Sequence, residues 1–232
     1  MDPQKARQIS DYIFKDVFGV ESPYSLKSLN KKFAIDIPST HKVACALSGS
    51  DTWTISSKNE RVASQKAVAD RFKKDEWMKK TKPFRSIDDI LAAWQDINYQ
   101  VVEKYINSKE TLESDGIYNS ASVYRSVSIF DSKNVVFSYK LFDCNYMLAS
   151  RDNSSCTLGI RMKESIFCSS GFEISWSNKV SRCMYIHDGF DLFECLFCSH
   201  IRSKKYCIAN MQLDKDEYFK LKKIAVNWIL ED

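Results

Sequence analysis

Seven of the chain's eight cysteines lie after residue 140, and their spacing constrains the fold more than any other feature. Cys144, Cys156 and Cys168 are 12 residues apart, as are Cys183, Cys195 and Cys207. Counting backward by the same step reaches Ser132 and Ser120, and the halfway positions hold Ser114, Ser126, Ser138, Ser150 and Met162. From 114 to 168 every sixth residue is therefore Ser, Cys or Met, a regularity that marks an internal repeat. Other columns align with it. Val123, Val135 and Met147 lead to Gly159 and Gly171, then to Ile186 beyond the 15-residue step from Cys168 to Cys183. Leu112, Tyr124, Val136, Leu148, Ile160 and Phe172 form a second apolar column.

A 12-residue repeat of this kind reads as a parallel β-solenoid. No single coil can bury its own apolar face, so stacking at ~4.8 Å supplies the core. Small Ser and Cys side chains suit tight inward corners. Eight coils over 109–213 would make a rod of roughly 38 Å. An 18-residue coil is the alternative, but it would stack Cys144 on Met162 and mix the columns. The 15-residue step predicts a three-residue bulge near Ser175-Trp176-Ser177.

The ends of a solenoid must be covered. Residues 214–230 read as a capping helix, with Asp216 and Glu217 in its first turn and Tyr218, Leu221, Ala225 and Trp228 over the last coil. Residues 1–108 read as an α+β docking and capping region. Helical spacing predicts helices over 3–18, ended by Gly19, and over 25–33. Alternation predicts a hairpin from 42–47 and 52–56. The charged stretch 59–80 reads as helical. Ser86-Ile87-Asp88-Asp89 resembles a capping box opening a further helix. Its face, Ile90, Leu91, Trp94, Ile97, Val101, Val102 and Tyr105, is expected to cover the first coil. The division is thus 1–108, 109–213 and 214–232.

Three clusters could carry chemistry. Cys195-x-x-Cys198 with Cys183 and Cys207, and His187 or His200 as substitutes, offers soft ligands for zinc. The alternative is a set of buried thiols, which the repeat already explains for Cys183, Cys195 and Cys207. Residues 58–85 hold ten Lys and Arg against four Asp and Glu, more than the whole chain's excess of four. Lys73, Lys74, Lys79 and Lys80, interleaved with Trp77 and Phe84, could touch phosphates; the alternative is a solvated helix face or a contact with an acidic protein partner. His187-Asp188, Asp191 and Glu194, or the column Asn119, Asp131 and Asp143, could serve acid–base chemistry on a polysaccharide. No nucleophile–base pattern or Gly-rich phosphate loop accompanies them.

The phrases Cys195-Leu196-Phe197-Cys198, Lys204-Lys205-Tyr206-Cys207-Ile208-Ala209-Asn210 and Asp216-Glu217-Tyr218 follow the Ser/Cys ladder. Over about 109–220 the chain resembles an uncharacterised family of Ser/Asn/Cys-rich repeat proteins from bacteriophages and very small uncultured bacteria. It departs from them in carrying fewer cysteines per coil, and in having His200-Ile201-Arg202-Ser203 where they carry a Gly-Leu-Arg-Asn-like stretch. The resemblance implies a solenoid and a phage setting, and no reaction. The coil is also similar in outline to insect antifreeze solenoids, without their Thr-x-Thr rows.

The expected function is a non-enzymatic structural or interaction protein, such as a phage virion component, docking on protein partners in a larger assembly. A nucleic-acid-associated protein and a carbohydrate-active solenoid are the alternatives. No run approaches the ~18 apolar residues of a membrane span, so no membrane partner is expected. No apolar stretch follows Met1-Asp2-Pro3-Gln4-Lys5, so the expected location is the cytoplasm, or the virion if a phage encodes the chain. Thiols stay reduced in such a compartment.

Overall fold

The computed structural model describes residues 1–57 and 60–231. Lys58, counted in the basic stretch, Asn59, the start of the helix expected over 59–80, and Asp232 lie outside the described residues. The centre of the molecule is a parallel β-solenoid of about nine turns. Its first stacked pair is Tyr105–Ile106 on Ile117–Tyr118, and its last parallel pair ends at Leu196 on Ile208.

The register is 12 residues throughout. Ile160 stacks on Phe172, Phe172 on Met184, and Met184 on Leu196. The expected three-residue bulge is absent, and Ser175 simply pairs with His187. The 15-residue step has another cause: the cysteines change column. Cys144, Cys156 and Cys168 continue the column of Ser120 and Ser132, which goes on to Val180 and Leu192. Cys183, Cys195 and Cys207 instead continue the column of Val123, Val135, Met147, Gly159 and Gly171. Cys198 pairs with Ile186 in a third column, below Ser150, Met162 and Ile174.

Each coil has four corners. Every third residue from Asn107 to Ala209 has positive φ, and only Gly116 among them is glycine. The residue after each corner points inward, giving four inward columns. A left-handed conformation costs a non-glycine residue roughly 1–2 kcal/mol, so the hydrogen bonds between coils must offset a repeated strain. Inward hydroxyls and thiols supply some of them. Ser126, Ser138 and Ser150 each donate a backbone N–H to the Ser Oγ one coil earlier, at 3.1, 3.0 and 3.1 Å. The accepting hydroxyls, those of Ser114, Ser126 and Ser138, donate in turn to the carbonyl two residues before them. Thiols take over the acceptor role where Cys168 N–H meets Cys156 Sγ at 3.4 Å and Cys195 N–H meets Cys183 Sγ at 3.1 Å. The corner groups are buried and would cost free energy unpaired, which is why the columns use Ser and Cys.

The interior fills by alternating large and small residues. Through Leu141 the large side chains occupy one diagonal, as with Val135 opposite Leu141, while Ser138 and Cys144 take the other. From Met162 onward the diagonals exchange, with Ile174 opposite Val180 and Ile186 opposite Leu192. Gly159, Gly171 and Gly189 make room for this exchange. A Cβ on Gly171 would sit 2.2 Å from Ile174 Cδ1 and 2.9 Å from Met162 Cε.

Helices cover one flank. α1 (Pro3–Phe18) starts with the Asp2 side chain accepting the Lys5 N–H and stops at left-handed Gly19. Its buried Ile9, Ile13, Phe14 and Val17 pack on the outward column Tyr124, Val136, Leu148, Ile160 and Phe172. α2 (Leu26–Phe33) adds Leu29 and Phe33 to the same cluster. Two strands follow, β1 (His41–Ala44) and β2 (Asp51–Thr54), paired as the expected hairpin. β3 (Val62–Ser64) leads into α3 (Gln65–Lys73), and α4 (Ile87–Gln95) precedes β4 (Gln100–Val102). α5 (Lys215–Glu231) completes the flank.

Three expectations about these ends are corrected. The helix over 59–80 is confined to α3, because the Ser64 hydroxyl caps it at Ala67 N–H and the chain turns at Asp75, where φ is 56°. The helix opened by Ser86 stops at Gln95, because β-branched Val101 and Val102 pair in parallel with β3. Its apolar face does not cover the first coil. That end is closed by the hairpin and by β3 and β4. Thr52 Oγ1 donates to Glu103 at 2.8 Å, and Thr40 Oγ1 donates to the Glu113 carbonyl at 2.9 Å. The buried face of α5 is Tyr218, Val226 and Ile229, while Leu221 and Trp228 are exposed.

Candidate partner-docking surface

The segment between β3 and β4 differs from the rest of the chain. No residue from 65 to 99 is buried. It is nonetheless rich in large apolar side chains: Phe72 is 78% exposed, Met78 80%, Ile87 65% and Trp94 53%. Local contacts fix its shape. Ser86 and Asp89 form the capping box anticipated from sequence, with Asp89 N–H donating to Ser86 Oγ and Ser86 N–H donating to Asp89 Oδ2, both at 3.2 Å. Backbone hydrogen bonds, chiefly from Arg85, hold the Asp89 carboxyl below the usual carboxylate range. Trp77 Nε1 donates to the Val68 carbonyl at 3.2 Å, which folds the chain after α3 back onto the helix. The Arg61 guanidinium stacks 4.5 Å from the Tyr99 ring and ties the end of the segment to its start.

The result is a groove of about 500 Å³. Trp77, Met78, Phe84, Ile90, Trp94 and Ile97 line it, and Lys79, Lys80 and Lys82 stand along it. Two of the four singled-out lysines, Lys79 and Lys80, therefore meet apolar side chains there. Lys73 and Lys74 sit exposed at the C-terminal end of α3 instead. Lys79 pairs with Asp96 at 3.3 Å. The groove was not readable from the basic stretch alone; the signal was the helical face of α4, interpreted from sequence as buried.

The cysteines are all free and all buried. Cys183, Cys195 and Cys207 stack in one inward column and Cys198 stands at the next corner. Their thiols donate to backbone carbonyls, Cys183 to Ser181 at 3.1 Å and Cys198 to Leu196 at 3.2 Å. The hydrogen bond with Cys183, helped by burial, pushes the Cys195 thiol up to about 12. Zinc binds thiolates, and these contacts favour thiols. Among the described residues no three His, Cys, Asp or Glu side chains converge as a metal-holding group.

The acid–base candidates are engaged separately. Ser175 Oγ meets His187 Nδ1 at 3.1 Å, and His200 Nδ1 meets Asp188 Oδ2 at 2.8 Å, so the histidine on the serine is not the one on the aspartate. The His200 hydrogen bond holds Asp188 below the usual range. Asp191 accepts from Ser203 at 3.0 Å. Glu194 is buried and accepts from Lys222 at 2.6 Å and Tyr218 at 3.2 Å, fastening α5 to the last coils. Asp131 and Asp143 share a column, as read from sequence, and accept from Asn119 and Ser155. Beside them Tyr118 and Phe130 stack 4.9 Å apart with planes 2° from parallel. Their facing surfaces are spent on each other, which leaves mainly edges for a sugar to meet.

A polar cleft of about 310 Å³ lies where the end of α2 meets the solenoid wall. Its Arg151 bridges Asp36 at 3.0 Å and Asp152 at 2.8 Å, and Arg161 bonds Glu173 and the Phe33 carbonyl. These pairs fasten α2 to the wall. Among the described residues no helix is long and apolar enough to cross a membrane. No family model, curated protein or solved structure matches the chain.

Proposed function

We propose that the protein is a non-enzymatic interaction component of a larger assembly, such as a virion if a phage encodes it. The solenoid serves as a rigid stem and the 65–99 segment as its docking element for a protein partner. The observation that carries this reading is the segment's composition without a core. A 35-residue stretch that exposes this many large apolar side chains is an interaction site or an aggregation liability. Elsewhere the inward columns are buried in the solenoid and one outward column lies under the flank helices, while Phe142, Trp176 and Trp228 are exposed on other faces.

Cross-linking mass spectrometry with the products of neighbouring genes tests the reading. Cross-links concentrated on 65–99 support it. A protein that stays monomeric and binds none of those products would refute it. The nucleic-acid reading draws on the same basic side chains. Salt-dependent DNA or RNA binding, lost when Lys73, Lys74, Lys79 and Lys80 are changed to Ala, would replace the protein-partner reading.

A further inference from the structure

Resting on that docking reading, we infer that the Trp77–Ile97 groove receives an amphipathic helix of a partner protein whose polar flanks are acidic. Three observations lead there. First, the surface is concave and lined from both sides, by α4 residues Ile90 and Trp94 and by Met78 and Phe84 of the preceding chain. Grooves of this kind take the i, i+4 and i+7 anchors of a helix. Second, the cations along it outnumber their internal ion-pair partners. Of Lys79, Lys80 and Lys82, only Lys79 is in an ion pair among the described residues, with Asp96, while Lys82 rests 5.8 Å from the Phe84 ring with Asp89 nearby and Lys80 is exposed. An occupant with carboxylates beside its apolar stripe would meet Lys80 and Lys82, and a basic one would be repelled.

Third, the other classes of occupant fit less well. A helix that lies on an anionic bilayer carries Lys and Arg on its polar face, whereas α4 carries Asp88, Asp89 and Gln95. Single-stranded nucleic acid stacks its bases on aromatic rings, whereas Met78, Ile90 and Ile97 supply half of the apolar lining.

The probe is a fluorescein-labelled helical peptide of about 18 residues, with Leu and Phe at i, i+4, i+7 and i+11 and Glu on both flanks. It is titrated against the full chain by anisotropy. Controls are a scrambled peptide, a version with Lys for Glu, vesicles containing phosphatidylserine, and DNA oligonucleotides. The acidic peptide should bind, with the scrambled and Lys versions about tenfold weaker or more. The double variant Lys80→Glu/Lys82→Glu, both positions exposed, should weaken the acidic peptide about tenfold and strengthen the Lys version. Equal binding of the scrambled peptide, no binding, or preferential binding of vesicles or DNA overturns the assignment of the occupant. If a neighbouring gene product still cross-links to 65–99 after the peptide fails, the occupant is wrong and the docking reading stands. If the peptide binds while cross-links fall elsewhere, the docking reading fails and the groove assignment stands.

Discussion

Gly171→Ala tests the account of the interior most directly. The added methyl would lie 2.2 Å from Ile174 Cδ1, against a comfortable separation of about 3.5–4.0 Å. Ile174 is fully buried, and Met162 Cε stands 2.9 Å from the same point, so the overlap cannot be relieved by turning toward that neighbour. Overpacking of this kind costs about 1–3 kcal/mol. At about 2–4 °C per kcal/mol for a chain of this length, the melting point should fall roughly 2–12 °C. Ile174→Val removes the clashing Cδ1 and alone should cost about 0.5–1.5 kcal/mol. The double variant should recover about 1 kcal/mol or more relative to the sum of the single changes. Urea unfolding followed by circular dichroism, fitted as a cycle, measures all three. The steric reasoning is refuted if Gly171→Ala stays within about 0.5 kcal/mol of the parent, or if the two changes simply add.

Other outcomes follow from the corners, the ladders and the charges. Lys140, an exposed corner with φ of 49°, should accept Gly with little change, whereas Lys140→Thr should cost about 1–3 kcal/mol in the same urea assay. Ser138→Ala removes the acceptor of the Ser150 N–H and should cost about 1–3 kcal/mol, while Ser138→Cys should retain most of the stability, because thiols already fill that role elsewhere. Hydrogen bonds from Lys5 and Ser122 lower the Glu110 carboxyl to about 2. A depressed carboxylate stabilises the fold above its unfolded value near 4.5 and loses that contribution as pH falls toward 2. Hydrogen-exchange protection at the start of α1, taken relative to the intrinsic rate at each pH, should therefore fall in that window, and Glu110→Gln should flatten the change.

The 12-residue period was legible because stacked inward positions must repeat in size, and Ser120, Ser132 and Cys144 did so visibly. The misplaced bulge came from following cysteine identity instead of register. Thiols at Cys168 and Cys183 do the same job at two different corners, so the residue type carried no column label. A sharper signal lay unused. None of the corner positions from Asn107 to Ala209 is Val, Ile or Thr, although those residues are common between them. β-branched side chains cannot readily take positive φ, so their exclusion from every third position marks the four-cornered coil. The α4 face failed for the opposite reason. Ile90, Leu91 and Trp94 fall at helical spacing, but spacing says only that a face exists and not that the chain itself covers it.

The flank helices bear on how the molecule comes apart. A bare stack can fray coil by coil from either end. Here α1, 16 residues and about 24 Å long, lies across five successive coils. The α2 region then reaches the other chain end, where the Tyr24 hydroxyl donates to the Leu230 carbonyl at 2.8 Å and Lys32 Nζ donates to that of Ile229 at 3.2 Å. Like a strap drawn along a column of coins and buckled, these contacts bind first and last coils into one cooperative unit. Cutting the buckle should convert a single melting transition into progressive peeling from the C-terminal end.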